Sequence, residues 1–552
     1  MEKFKSEVLA LLIGIIALGF CFSVYRLLKN RLTRSCPSVK GSERNVRPVR
    51  STAVTPAAPK PREKVLSHWF HELISGYRFL GSLCRRLLHR DVLLSAAGDL
   101  LVMIAVSVGM ALFCAYSDGG SDLYMTTFMT LMYVSAALIL FARCVKGSRM
   151  IYFPCCILIL TGIALAVLLY LSPMQGVRAN RIEHPDKTVL FHIIAICFAL
   201  VAFPLMRMAC RLRYRNAMIM ILNGLTVLCY LGTLALADSV NGATNWITLG
   251  PLSFQSTELT RFLSLITLGL TLTNDLMKER TRFWWASATV GINGIFLLLC
   301  NEFGILMVLC LVYLGMLLIF QKGLGKVIAL VIAGAVMVTV FGLVGKVCYD
   351  RVNPPEIAVE EVTESTAVTQ PQEQSTLVKA ISQGYAKVFG RFMVFLSPED
   401  AAKLTDTSQW RKSKEALVIS DWFGSPYDLS IPVARSDFIF CYLLVRLGVM
   451  AGFAVLGLLI MMLLGGTVHC LRNPHTGEAA VGIAFLFSMV IQSLLAAMSA
   501  TGNFAIVGLP FMFLAYGGTA TVVNYCMLVF LVYATGSRDF DADKHRSPKA
   551  IR

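Results

Sequence analysis

"NWITLGPLSFQSTELTRF", residues 245–262, sets Gln255, Glu258 and Arg261 at the entrance to an apolar run that continues to about residue 274. A charge at the centre of a bilayer costs from about 2.5 kcal/mol upward. Glu258 and Arg261 are three residues apart, so a helix places them on one face, where they can pair. Pairing lowers the cost of bringing either close to hydrocarbon. The spacing leaves open whether such a pair is purely structural or serves a ligand.

The run that follows is one of many. The chain has 552 residues, of which 56% are hydrophobic. Apolar segments of about 20 residues recur from end to end, each long enough to cross a hydrocarbon core of about 30 Å. They fall at about 8–28, 92–116, 123–143, 150–171, 188–208, 217–237, 258–274, 284–300, 303–320, 327–348, 437–464, 479–500 and 516–535. A membrane β-barrel would need alternating segments of about 10 residues, and the sequence has none. The expected fold is an all-α polytopic membrane protein.

Lys and Arg outnumber Asp and Glu, for a formal charge of +17. This excess does not indicate nucleic-acid binding. It concentrates in alternate loops ("RCVKGSR", "RMACRLRYR", "KERTR", "KGLGK") and in the tail "KHRSPKAIR", the signature of cytoplasmic faces. Alternation then gives about thirteen spans, with the N-terminus outside and the C-terminus in the cytoplasm. Residues 1–28 read as a retained anchor. Residues 29–91 read as a basic cytoplasmic linker with an interfacial amphipathic segment. Residues 92–536 form the transmembrane domain and 537–552 a cytoplasmic tail. The cysteines lack metal-ligand spacing, so no metal site built on them is expected.

The long polar segment at about 350–435 faces outward in this scheme. Its first part is acidic and of disordered composition. Its second part has helical apolar spacing and is expected as amphipathic helices on the outer membrane surface. Other polar residues also need reasons. Glu302 opens a helix, and Gly304 allows close packing there. Asp437 stands at the N-terminal end of a span, where the helix dipole favours an acid. Arg446 lies inside that span and should face the bundle interior, within reach of Glu302 or Glu258. Pro510 and the pair Gly517–Gly518 break the helical pattern before the last span. Irregular backbone there must be buried or line a cavity.

Taken in order, these stretches resemble the SEDS family, the FtsW, RodA and SpoVE proteins. The resemblance is carried by "WITLGPLSFQSTELTR" (246–261), "EFG" (302–304), "RFMVFLSP" (391–398), "IPVARSDFIF" (431–440) and "GLPFMFLAYGGTA" (508–520). It implies a SEDS-like helix bundle with additional N-terminal spans and a large extracellular loop, in the bacterial plasma membrane. It implies a peptidoglycan glycosyltransferase that polymerises lipid II and releases undecaprenyl pyrophosphate, in division, elongation or sporulation. A class B penicillin-binding transpeptidase and other division or elongation membrane proteins are the implied partners. The alternatives are a catalytically inactive scaffold or regulator of cell-wall synthesis, and a transporter of lipid-linked precursor.

The family's essential acid follows the "FLSP" element, which makes Asp400 the implied catalytic base for the attacking sugar hydroxyl. "SPEDAAKL" also reads as a helix start, with Ser397 as cap and Pro398 at the first position. Glu399, Asp406 and Asp421 are the other acids within reach of that role. Arg391, Arg435 and Arg261 are candidates to neutralise the leaving pyrophosphate, a task a divalent cation (Mg or Mn) could share. Glu258, Gln255, Ser436, Asp437 and Gln409 complete the implied substrate-binding set. Glu302, Gly304, Arg446, Pro510, Gly517 and Gly518 are expected in structural roles. No organic cofactor is implied. The chain departs from the family pattern at Ser256, Thr257, Arg261, Arg435, Val445 and Arg446. Where the family carries two glutamates, this chain carries Val445 and Arg446.

Overall fold

The computed structural model describes residues 74–75, 77–78, 81, 90–118, 134–171, 185–211, 215–240, 243–249, 252–300, 302–321, 324–353, 376–402, 407–425, 431, 433–472, 476–516 and 518–536. The expected anchor at 1–28, residues 29–73 of the linker expected at 29–91, the acidic part of the long loop and the tail at 537–552 lie outside them. So do Asp406 and Gly517.

From residue 90 onward every expected span has a helix at its place. These are α1 (Arg90–Asp118), α2 (Val134–Cys144), α3 (Arg149–Leu171), α4 (Pro185–Arg211) and α5 (Arg215–Leu236). After a small sheet come α6 (Ser256–Leu272), α7 (Glu279–Leu299), α8 (Phe303–Phe320) and α9 (Leu324–Val352). The long loop contributes α10 (Thr376–Leu396), the single turn α11 (Pro398–Ala401) and α12 (Ser408–Ile419). The chain closes with α13 (Ile439–Arg446), α14 (Val449–Cys470), α15 (Gly477–Ala500) and α16 (Gly518–Ala534). Nine described helices are long and apolar enough to cross a membrane.

Hydropathy alone does not say which helices are central; burial does. In α3 and α15, 89% and 83% of the apolar window is covered by protein, against 22% in α1. α15 packs against α6, α8, α14 and α16, and α4 lies along α16. Small residues set the closest approaches. A Cβ on Gly269 of α6 would stand 2.7 Å from the backbone nitrogen of Val481, and one on Gly162 of α3 would stand 2.2 Å from the carbonyl of Phe513. Without a hydrophobic driving force between helices in lipid, such close contact is what holds a bundle together.

The basic loops gather at one end of the bundle. There Arg211 pairs with Glu478 at 2.6 Å, Lys326 with Glu279 at 3.0 Å, and Arg215 donates to the carbonyl of Thr273 at 2.8 Å. Ser148 donates its N–H to Thr535 Oγ1 at 3.2 Å at that same end.

Three local features differ from the sequence expectation. The stretch before α6 is an antiparallel sheet of β1 (Asp238–Val240), β2 (Ala243–Leu249) and β3 (Leu252–Gln255), with Trp246 opposite Gln255 and Leu249 opposite Leu252. The span expected at 437–464 is two helices, α13 and α14, broken at Gly448 with φ +90°. The first N–H groups of α14 are capped by the loop before it: Val449 donates to the carbonyl of Asp421 at 3.0 Å and Met450 to that of Trp422 at 3.2 Å. Finally, the apolar spacing of α10 is used against protein. Tyr385 and Phe389 fill the notches left by Gly345 and Gly342 of α9, and Phe392 meets Phe303 and Phe504 edge-on at 5.3 and 5.9 Å.

Candidate functional site

The end of the bundle opposite the basic loops collects the sheet, the long-loop helices, the turn before α13 and the irregular segment 501–516. That segment has no helix, as Pro510 predicts, and it is buried: Val507, Leu509, Phe511, Met512, Phe513 and Leu514 are each at most 2% exposed. Its turns need left-handed backbone at Gly502, Gly508 and Phe513. Gly304 gives it room, because a Cβ there would meet the carbonyl of Val507 at 2.4 Å.

The first turn of α6 supplies a buried ion pair. Arg261 Nη2 and Glu258 Oε2 are 2.6 Å apart, with side chains 0% and 1% exposed. The three-residue spacing does produce a pair, and its burial removes both residues from direct contact with a ligand. In this structure both are interior residues. Arg261 Nη1 donates to Gln492 Oε1 on α15. Gln492 Nε2 then donates to the carbonyl of Pro510 at 2.8 Å. Sequence reasoning did not single out Gln492. The signal was available, since a lone amide inside the apolar span "MVIQSLLAAM" is unusual.

Gln255 is half-buried at the end of β3, and its backbone N–H donates to Thr519 Oγ1 at 3.0 Å. Glu302 accepts from the Asn245 amide, so it ties the sheet to the start of α8. Arg446 is the last residue of α13, half-buried beside the 421–425 loop, where Ser425 donates its N–H to the neighbouring Val445 carbonyl at 2.8 Å. The expectation of an arginine well inside a continuous span is corrected, because the helix ends there.

The turn before α13 holds Arg435, Ser436 and Asp437, all half-buried. Val433 has φ +54°, and its carbonyl accepts from the N–H groups of Ser436 and Phe438 at 3.1 and 3.4 Å. The turn packs on the irregular segment. Tyr516 donates its N–H to the carbonyl of Arg435 at 2.8 Å, and Phe440 stacks on Phe511 at 5.5 Å. A Cβ on Gly508 would lie 3.7 Å from Asp437 Oδ2. Arg435 also lines a small cleft with Thr188, His192 and Tyr516. Desolvation raises the Asp437 carboxyl above its usual range, opposed by a hydrogen bond from Ser436 and by the charge of Arg391. Arg391, on α10, is thus close enough for its charge to act on Asp437.

Asp400 lies in α11, directly after α10 and with Pro398 at the first helical position, as a helix-start reading predicts. The backbone of Asp400 is described and its carboxylate is not. Glu399 is exposed, and Asp421 accepts the N–H of Trp422 at 2.7 Å. Gln409 is half-buried in the first turn of α12, whose neighbouring Trp410 donates to the carbonyl of Gly502 at 3.4 Å. Gly518 begins α16 rather than kinking it.

Among the described residues, no group of three or more His, Cys, Asp or Glu could hold a metal ion.

The FtsW/RodA/SpoVE family model, described as cell cycle protein, matches residues 149–538. The chain is similar to the probable peptidoglycan glycosyltransferase FtsW of Halomonas elongata, with 22% identity over 62% of this chain and 78% of the relative. It is similar to the protein of the same description from Aeromonas salmonicida, with 24% identity over 68% and 87%. Among solved structures it resembles the rod shape determining protein RodA of Thermus thermophilus, at 15% identity and TM-score 0.45 over 73% of this chain and 98% of that one. It also resembles a chain from a peptidoglycan synthase complex studied for the coordination of polymerization and crosslinking, at 17% identity and TM-score 0.48 over 71% and 97%. The family match takes in α3 to α16 and every motif at this end of the bundle, and the chain belongs to the FtsW/RodA/SpoVE family.

Proposed function

We propose that this chain is a peptidoglycan glycosyltransferase that polymerises lipid II in the bacterial plasma membrane, with its site on the outward face and its C-terminus in the cytoplasm. The observation that supports it best is the packing of the buried segment 501–516 on the turn that carries Arg435, Ser436 and Asp437, where Tyr516 donates to the Arg435 carbonyl and Phe511 stacks on Phe440. Asp400, in α11 directly after α10, is the acid that follows Arg391 in the chain.

Asp400 acts as the general base. It takes the proton of the acceptor sugar hydroxyl as that oxygen attacks the anomeric carbon of the donor. The bond to pyrophosphate breaks, and undecaprenyl pyrophosphate leaves with the electron pair. Arg391 and Arg435 carry positive charge to the developing anion, which lowers the barrier in a site shielded from water. Ser436, Asp437, Gln255 and Gln409 position the sugars. A class B penicillin-binding transpeptidase crosslinks the product, and other division or elongation membrane proteins share the assembly. A divalent cation, if used, would rest on the pyrophosphate oxygens and water more than on protein ligands.

The test is polymerisation of lipid II by the purified chain, read as glycan strands on a gel. Asp400→Ala is expected to lower the rate by about a hundredfold or more, the usual worth of a general base. A wild-type rate in that variant removes Asp400 from the mechanism. Absence of polymer from the wild-type chain, with and without a transpeptidase, removes the reaction itself.

A further inference from the structure

A buried ion pair is weak evidence for stability, because the desolvation of two charges can exceed their attraction. The pair Glu258–Arg261 is an extreme case, with both side chains at most 1% exposed. Its attraction leaves Glu258 Oε1 and Arg261 Nε without a hydrogen-bond partner in the protein. What the pair does accomplish is geometric. The carboxylate holds one nitrogen of the guanidinium, and the planar fork then aims another, Nη1, at Gln492. With its oxygen engaged by Arg261, Gln492 has one amide orientation, and its Nε2 points at the carbonyl of Pro510 at 2.8 Å.

Pro510 sits midway in the segment that carries the opposite half of the candidate site. On one side of it, Gly508 faces the Asp437 carboxylate. On the other, Phe511 stacks on Phe440 and Tyr516 donates to the Arg435 carbonyl. The segment has no helix to hold its shape, and proline offers no N–H of its own. Its carbonyl is one group through which the bundle grips it, beside the Val507 N–H that donates to Ser499 Oγ.

We propose that Gln492 is a positioning residue that transmits the buried Glu258–Arg261 pair to the Pro510 carbonyl and so holds segment 505–516 against the turn at 433–438. Gln492 touches no substrate and acts through the backbone of that segment. The inference uses the proposed glycosyltransferase site only for its kinetic readout. Its structural readout stands apart from that reaction.

The experiment uses the full chain in lipid nanodiscs, with Gln492→Leu and Gln492→Glu. Gln492→Leu removes both contacts. Gln492→Glu keeps an oxygen for Arg261 and loses the N–H to Pro510. Amide hydrogen exchange is followed at Val507, Ala515 and Tyr516, whose N–H groups bond Ser499 Oγ, the Phe511 carbonyl and the Arg435 carbonyl. Both variants are expected to exchange about tenfold faster there, the worth of one buried hydrogen bond, while α6 and the first half of α15 keep wild-type protection. On lipid II, the KM should rise about tenfold with kcat changed less, since the segment is displaced and the chemical group is not. Unchanged exchange at 505–516 overturns the proposal. Wild-type exchange in Gln492→Glu overturns it too, because then the Arg261 contact alone suffices. Loss of protection throughout α6 and α15 makes Gln492 an ordinary core residue and also overturns it. If a Gln492 variant does not fold, Arg261→Lys replaces it; the ammonium lacks the rigid planar fork that holds Glu258 and Gln492 on separate nitrogens, so the same local acceleration is expected. A wild-type chain that makes no polymer, with the exchange pattern as expected, keeps the positioning role and discards the reaction.

Discussion

At the scale of single residues, Asp437 shows how much its surroundings matter. An acid at a helix start can be explained by the dipole alone. Here desolvation dominates and raises the carboxyl, while Ser436 and Arg391 pull it back. A carboxyl whose value is higher in the folded state binds more protons folded than unfolded, so stability falls as pH rises. The fall begins near the ordinary aspartate value, about 4, and ends at the raised one. Thermal unfolding between pH 4 and pH 7 should therefore show a downward slope that Asp437→Asn removes. Arg391→Ala should steepen it, because the opposing charge is gone. An identical slope in all three chains would mean Asp437 keeps an ordinary value.

At the scale of elements, the break between α13 and α14 is the clearest case of tertiary structure overruling an apolar run. Gly448 has φ +90°, and a Cβ there would stand 2.4 Å from the carbonyl of Trp422 and 2.5 Å from the nitrogen of Gly424. Gly448→Ala combines left-handed strain with a clash against backbone, a loss of about 2–4 kcal/mol. Gly457, in the middle of α14, has open space around it. Gly457→Ala should be neutral or gain up to about 1 kcal/mol. Denaturation of the two variants side by side checks the contrast, and equal stability would leave the break without its glycine. The apolar run continues through 437–464 because both helices are apolar. What the run does not encode is the loop 421–425 arriving to cap α14.

At the scale of the whole molecule, α1 and α2 precede the family match, which begins at residue 149. They are tied to it by Asp99. Its carboxylate, 3% exposed, contacts Arg143, pairs with Arg149 at 2.8 Å and accepts the Tyr152 hydroxyl at 2.7 Å. Arg149 is 58% exposed, so solvent screening discounts its share. Asp99→Ala should weaken the attachment of α1 by about 1–3 kcal/mol. Hydrogen exchange would then quicken in α1 and stay unchanged in α15. A uniform change across both helices would mean that Asp99 supports the bundle as a whole. Asp99, like Gln492, was legible as a lone polar residue in an apolar span and was not singled out.

By itself the sequence determined the helix positions from residue 90 on except for the break at Gly448, the basic end of the bundle, the pairing of Glu258 with Arg261 and the irregular, buried backbone around Pro510. All of these depend on local hydropathy, charge and backbone chemistry, which a linear chain carries in full. Tertiary structure alone decided that α10 spends its apolar face on α9, that the strands before α6 form a sheet, and that Arg261, Gln492 and Pro510 join in one line. An apolar side chain is equally satisfied by lipid and by another helix. A polar one is satisfied only by a partner whose place depends on the packing of elements hundreds of residues apart.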